Sequence, residues 1–145
     1  MTDLPESLQQ IVDDFAEMEP GQRLELLLEF SKELPALPSK YADHPELLEP
    51  VPECQSPIFL AVEVDHGGAE SVVRLHFSAP PEAPTTRGFA GILHEGLNGL
   101  SPATVLAVPT DLPLRLSLTE QVSPLRLRGM AGMLSRIKAQ VSRQT

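Results

Sequence analysis

Hydrophobic positions recur at helical spacing in the first third of the chain. Leu4, Leu8, Ile11, Val12, Phe15 and Met18 fall on one face, and Asp3 ahead of Pro5 supplies a start signal. Pro20-Gly21 breaks this helix and opens a second, in which Leu24, Leu27, Leu28 and Phe30 face inward while Glu25, Glu29 and Glu33 mark a solvent side. Pro35 cannot continue the hydrogen bonding, so that helix ends by Leu34. Residues 35–53 read as a long proline-rich loop, broken at most by a turn of helix around Glu46-Leu47-Leu48.

The period then drops to two. Ile58, Leu60, Val62 and Val64 alternate with Phe59, Ala61, Glu63 and Asp65, and Val73, Leu75 and Phe77 resume the alternation opposite Arg74 and His76. With His66-Gly67-Gly68 as the turn, this predicts a β-hairpin. Phe89, Ile92, Leu93 and Leu97 predict a middle helix, which Gly88, Gly91 and Gly96 weaken. Ser101-Pro102 caps a short helix ending before Pro109. Residues 111–118, D-L-P-L-R-L-S-L, fit a strand by alternation and a helix by the Asp-x-Pro start. Ser123-Pro124 opens a long amphipathic helix with Leu127, Met130, Met133, Leu134, Ile137 and Val141 on one face. The order of elements is that of an α+β fold, helices packed on a small antiparallel sheet. No repeat or linker divides residues 1–145, which read as a single domain.

Composition adds that the core is aliphatic: there are five Phe, one Tyr and no Trp. The net charge of −9 argues against a nucleic-acid partner, whose phosphates need clustered cations. The charge is uneven. Residues 1–53 carry 13 acidic and 3 basic side chains, whereas residues 112–145 carry 1 and 6. Each end could simply have a solvated face of one sign, or the basic segment could sit near a thiol or a partner. The sequence shows no signal-peptide pattern and no apolar stretch near 18 residues, so no membrane partner and a cytoplasmic location are expected.

The four histidines lie on different elements without helical metal-site spacing, and one cysteine cannot build a thiolate cage, so no metal is expected. That single cysteine, Cys54, is the feature that calls for chemistry. A free cysteine is usually a small buried hydrophobe, yet Cys54 stands among Glu53, Gln55 and Ser56, in a bend bracketed by Pro52 and Pro57. An unperturbed thiol is only about 3% ionised at pH 7, and the Glu53 carboxylate disfavours ionisation further. A reactive Cys54 needs a cation from elsewhere in the fold or from a partner.

Cys54-Gln55-Ser56, followed after one residue by Ile58-Phe59-Leu60, resembles the cysteine motif of the SufE family of sulfur acceptors. Leu34-Pro35, Arg87-Gly88, and Ser123-Pro124-Leu125-Arg126 with Gly129 and Met133 resemble further family segments in the right order. The chain departs from the family at Glu53, usually Gly, at Phe59, usually Trp, and at Ala131, usually acidic. The resemblance implies a SufE/NifU-like α+β fold whose Cys54 takes persulfide sulfur from a cysteine desulfurase, stimulates that enzyme, and passes the sulfur to an iron–sulfur cluster scaffold. It implies Arg126, and with less support Arg87, as the charge beside the thiolate or persulfide, and Gln55 and Ser56 as loop supports. No cofactor is implied for this chain, because pyridoxal phosphate belongs to the desulfurase. An adaptor without chemistry and a stand-alone cysteine hydrolase are the alternatives; the latter needs a histidine beside Cys54. A carrier gains from hiding its thiol, so Cys54 is expected to be largely buried against the hairpin, with Ile58 and Phe59 as an apolar wall, and the final helix.

Overall fold

The computed structural model describes residues 4–65 and 71–145. Helix α1 (Glu6–Glu17) buries Leu8, Ile11 and Phe15, as its periodicity requires. Asp3, and the turn expected at His66-Gly67-Gly68, lie outside the described residues. Helix α2 (Pro20–Glu33) buries Leu27, but Leu24 is 39% exposed and does not face inward. Leu24 belongs to a wide apolar arc, and only part of that arc meets a neighbour.

The long loop holds more structure than expected. It contains a short helix α3 (Ser39–Ala42), a 3₁₀ turn at Pro45–Leu47, and a two-residue strand β1 (Glu49–Pro50). β1 pairs antiparallel with β2 (Phe59–Asp65), which pairs antiparallel with β3 (Val72–Ser78). The expected hairpin is thus two strands of a three-stranded sheet. Leu60, Val62, Val64, Val73, Leu75 and Phe77 enter the main core from one face. On the opposite face Ala61 packs with Tyr41 and Leu48, and Phe59 joins them. Phe59 and Ala61 share that face because side chains alternate along a strand.

Helix α4 (Pro84–Leu97) runs through the centre, with Phe89, Ile92, Leu93 and Leu97 buried. Its glycines are contact points, not weaknesses. A Cβ on Gly91 would lie 2.3 Å from the Phe30 carbonyl oxygen, so only glycine lets α2 and α4 approach this closely. After α4 the chain turns at Gly99, whose φ of 86° suits glycine. Helix α5 (Pro102–Leu106) follows, capped by the Ser101 hydroxyl. Residues 111–118 are neither strand nor α-helix: Leu112–Arg115 form a 3₁₀ turn. Leu112, Leu116 and Leu118 are buried while Leu114 is 62% exposed. Helix α6 (Pro124–Gln144) buries all six residues of its expected face, and the Ser123 hydroxyl accepts from the Arg126 amide.

The last turns of α6 also bond to the sheet. The Val62 and Val64 amides donate to the Gln140 and Gln144 side-chain oxygens at 2.8 and 3.1 Å, and Gln144 donates to the Val62 carbonyl. At the other edge, the Leu75 amide donates to Asn98, the Val73 amide to the Leu100 carbonyl, and the Gly99 amide to the Val73 carbonyl.

Candidate functional site

Cys54 occupies the tip of the β1–β2 connection. The loop is closed at its base by the Val51 amide donating to Ile58, and turned at its apex by the Cys54 amide donating to Val51. Prolines 50, 52 and 57 fix φ along it. The loop folds down onto α6, which is flat where it lands. A Cβ on Gly129 would stand 3.0 Å from the Cys54 sulfur, and one on Gly132 would stand 2.7 Å from the Glu53 Cβ. The two glycines lie three residues apart on one helix face, so together they clear a seat for Glu53-Cys54.

The thiol donates to the Gly129 carbonyl at 3.5 Å. It adjoins a niche of about 20 Å³ lined by Cys54, Gln55, Thr86, Phe89, Leu125, Arg126 and Gly129. That is room for about one water-sized group. Cys54 is half-buried and packs on the main core. It is therefore less enclosed than expected, and its neighbours are α4 and α6. Ile58 is buried in the core and Phe59 lies on the sheet's outer side. Both border, with Cys54, a shallow surface of the loop, but the niche beside the thiol takes its apolar wall from Phe89 and Leu125 instead.

The expected residues separate. Arg126 and Gln55 line the thiol's niche. The Arg126 side chain is exposed and makes no hydrogen bond or ion pair among the described residues. Ser56 lies further along the same loop, whose outer side forms a shallow surface with Pro52, Cys54 and Gln55. Arg87 does not line the niche. Its guanidinium donates to the Ser31 and Ala79 carbonyls at 2.9 and 2.8 Å, tying α4 to the end of α2 and to the residue after β3.

Sequence reasoning missed Arg136. It sits one turn beyond Gly132 and reaches back to the cysteine loop. Its Nε and Nη2 engage the Glu53 carboxylate at 3.0–3.1 Å, and Nη1 donates to Glu49 at 2.8 Å. The signal available in the sequence was the helical stripe Gly129, Gly132, Arg136, two small residues and then a cation on one face.

Burial and these charges together set the resting state of the thiol. Burial first, and the Glu53 carboxylate second, push Cys54 up to about 11, with Arg136 opposing. The Glu53 carboxyl is held below its ordinary range by its own backbone amide and by Arg136. For Glu49, partial burial opposes ionisation, but Arg136 and Gln140 outweigh it and lower its pKa. Cys54 rests as a thiol, and the cation that offsets Glu53 comes from the same helix that seats the loop.

Among the described residues no histidine bonds to Cys54. A second polar cluster lies on the outer face of the sheet, where Glu63 accepts from Lys40 at 2.9 Å and Tyr41 at 3.0 Å and meets the His76 ring at 2.9 Å. Among the described residues, no group of three or more His, Cys, Asp or Glu could hold a metal ion, and no helix is long and apolar enough to cross a membrane.

The model of the SufE family, described as an Fe-S metabolism associated domain, matches residues 9–141. An uncharacterized SufE-like protein of Mycobacterium tuberculosis is 56% identical over 135 residues, covering 93% of this chain and 91% of that protein. SufE-like protein 1, chloroplastic/mitochondrial, of Arabidopsis thaliana is 29% identical over 133 residues, covering 91% of this chain and 34% of its own length. The solution structure of a hypothetical protein from Thermus thermophilus superposes with a TM-score of 0.83 at 40% identity, covering 97% of this chain and 96% of that one.

Proposed function

The chain belongs to the SufE family, which ties it to Fe–S metabolism, and from that premise we propose that it is a sulfur acceptor and carrier working through Cys54. A cysteine desulfurase presents a persulfide on its own cysteine. The Cys54 thiol gives its proton to a base or solvent at the interface, and the thiolate attacks the terminal sulfur. The sulfur–sulfur bond of the donor persulfide breaks, the desulfurase cysteine leaves as thiolate, and a persulfide forms on Cys54. No net oxidation occurs. A second exchange of the same kind delivers the sulfur to an iron–sulfur cluster scaffold.

The observation that carries this reading is the position of the thiol. It lies at a hairpin tip, half-buried on Gly129, beside a niche of about 20 Å³ that Arg126 borders. A persulfide adds one sulfur atom, which a space of that size suits. A thiol held near 11 is inert between encounters, consistent with a carrier that must not react with passing oxidants. Accepting sulfur requires a partner that binds the raised loop more tightly than the seated one. Among the described residues, Arg126 is the cation that borders the niche without a side-chain partner of its own, placed to meet the thiolate or persulfide there, with Gln55 and Ser56 shaping the loop. The absence of a bonded histidine among the described residues weighs against the hydrolase reading.

Intact-mass analysis after incubation with a desulfurase and cysteine tests the proposal. The expected result is a gain of sulfur atoms, and stimulated desulfuration, both lost in Cys54→Ser. A serine variant that stimulates desulfuration as well as the parent would support a non-catalytic adaptor and overturn sulfur transfer.

A further inference from the structure

The reading above leaves the Glu53 carboxylate beside a sulfur that must become anionic. Deepening that reading, and resting on it, we propose that Arg136 is a positioning residue for sulfur transfer: it clamps the cysteine loop onto α6, and a partner that lifts the loop must replace it with a cation of its own.

The clamp has two jaws. Arg136 engages both oxygens of Glu53, next to Cys54 at the loop tip, and one oxygen of Glu49, in β1 just before the loop. A planar guanidinium holding a carboxylate at two points fixes orientation as well as distance, which a lysine cannot do. The side chains are partly withdrawn from solvent, with Arg136 at 27%, Glu49 at 28% and Glu53 at 41% exposure. Gln140 donates to the second Glu49 oxygen, and Arg143 lies 3.6 Å from it. Gly132 is what lets the Glu53 side chain lie flat enough to reach Arg136.

Among the described residues, the charged groups around the thiol are few. The loop and β1 contribute Glu53 and Glu49, and α6 contributes Arg126, Arg136 and, through Glu49, Arg143. From α4 come Thr86 and Phe89, which carry no charge. Raising the loop separates Glu53 from Arg136 but not from Cys54. The exposed sulfur then travels with an uncompensated carboxylate at its side, which disfavours both thiolate and persulfide anion. A partner surface that accepts this loop therefore presents a Lys or Arg within hydrogen-bonding distance of Glu53. An all-apolar pocket would leave that charge buried and unpaired.

The test uses the full chain without any desulfurase, so its outcome is separate from whether Cys54 accepts sulfur. Hydrogen exchange of the loop amides, Cys54 among them, is measured for the parent, Glu53→Gln, Arg136→Gln, the double variant and Arg136→Lys, with the α6 amides as the control for global unfolding. Each single variant should speed loop exchange about two- to five-fold, the range of a partly exposed ion pair. The double variant should be no faster than the faster single one, the signature of one shared interaction. Arg136→Lys should recover only part of the protection. Raising salt from about 0.05 to 0.5 M should speed the parent loop and leave the double variant unchanged. Iodoacetamide should alkylate the double variant about two- to five-fold faster than the parent. Loop exchange and alkylation at parent values in all variants, or single effects that simply multiply, would overturn the clamp.

Discussion

Gly132→Ala puts the seating of the cysteine loop to a direct energetic test. The new Cβ would meet the Glu53 Cβ, Cγ and Cδ at 2.7, 2.9 and 2.9 Å. Carbon atoms rest about 3.5 Å apart or more, so the loop must rise by roughly 1 Å. Rotating the Glu53 side chain gives no relief, because the closest atom is its Cβ, which moves with the backbone. Two opposing effects follow. Alanine in a helix interior is favoured over glycine by about 1 kcal/mol. Forcing a methyl into a filled contact costs about 1–3 kcal/mol. The net expectation runs from near neutrality to about 2 kcal/mol of lost stability, measured by urea unfolding. The more telling readout is Cys54 itself. With the loop displaced, burial should fall, the thiol should titrate below its present value of about 11, and alkylation at pH 8 should accelerate. A variant stabilised by the full helix-propensity gain, with an unchanged alkylation rate, would refute the seating of Glu53-Cys54 on α6.

Three further outcomes are expected. Arg126→Ala should slow sulfur loading about tenfold or more while leaving the resting thiol titration close to the parent, because burial and Glu53 dominate that titration; single-turnover loading and pH-dependent alkylation together check this. Arg87→Ala should lower stability by about 2 kcal/mol through the lost bonds to Ser31 and Ala79, with loading of the folded protein unchanged; a loading defect at full stability would return Arg87 to the site. Glu63 is held down from 4.5 to about 2, chiefly by the Lys40 hydrogen bond, so its contribution is present above pH 4.5 and lost as pH falls towards 2. With the side chain one-third exposed, screening reduces that contribution to about 1 kcal/mol, and Glu63→Gln should flatten the stability profile between pH 4.5 and 2 by that amount.

The parts legible in the sequence were those governed by local repetition. The α6 face from Leu127 to Val141 and the β2–β3 alternation both follow from one period held over many residues. β1 was not legible, because Glu49-Pro50 is too short to show a period and is defined by its partner Phe59-Leu60. The stretch at 111–118 defeated pattern reading because a 3₁₀ turn, with Ser117 at φ 59° after it, follows neither repeat. The glycines of α4 looked like defects because propensity is local and close packing is not. Cys54 stood out through its unusual neighbours, but Arg136 lies 83 residues from Glu53, and no window of sequence joins them.

The sheet is small enough that both of its margins are open to inspection. β1 covers only the first residues of β2, and beyond it the polar groups of Val62 and Val64 would stand bare. Gln140 and Gln144 occupy them, while Asn98, Gly99 and Leu100 occupy those of β3. A bare strand margin is a template for another chain, the usual starting point of aggregation and strand exchange. Here the Gln140 side chain supplies an acceptor and the Gln144 side chain both an acceptor and a donor, so the two imitate a short piece of neighbouring strand. The end of α6 therefore acts as a guard that keeps the sheet monogamous, and a chain cut before Gln140 would keep much of its core yet gain an adhesive flank.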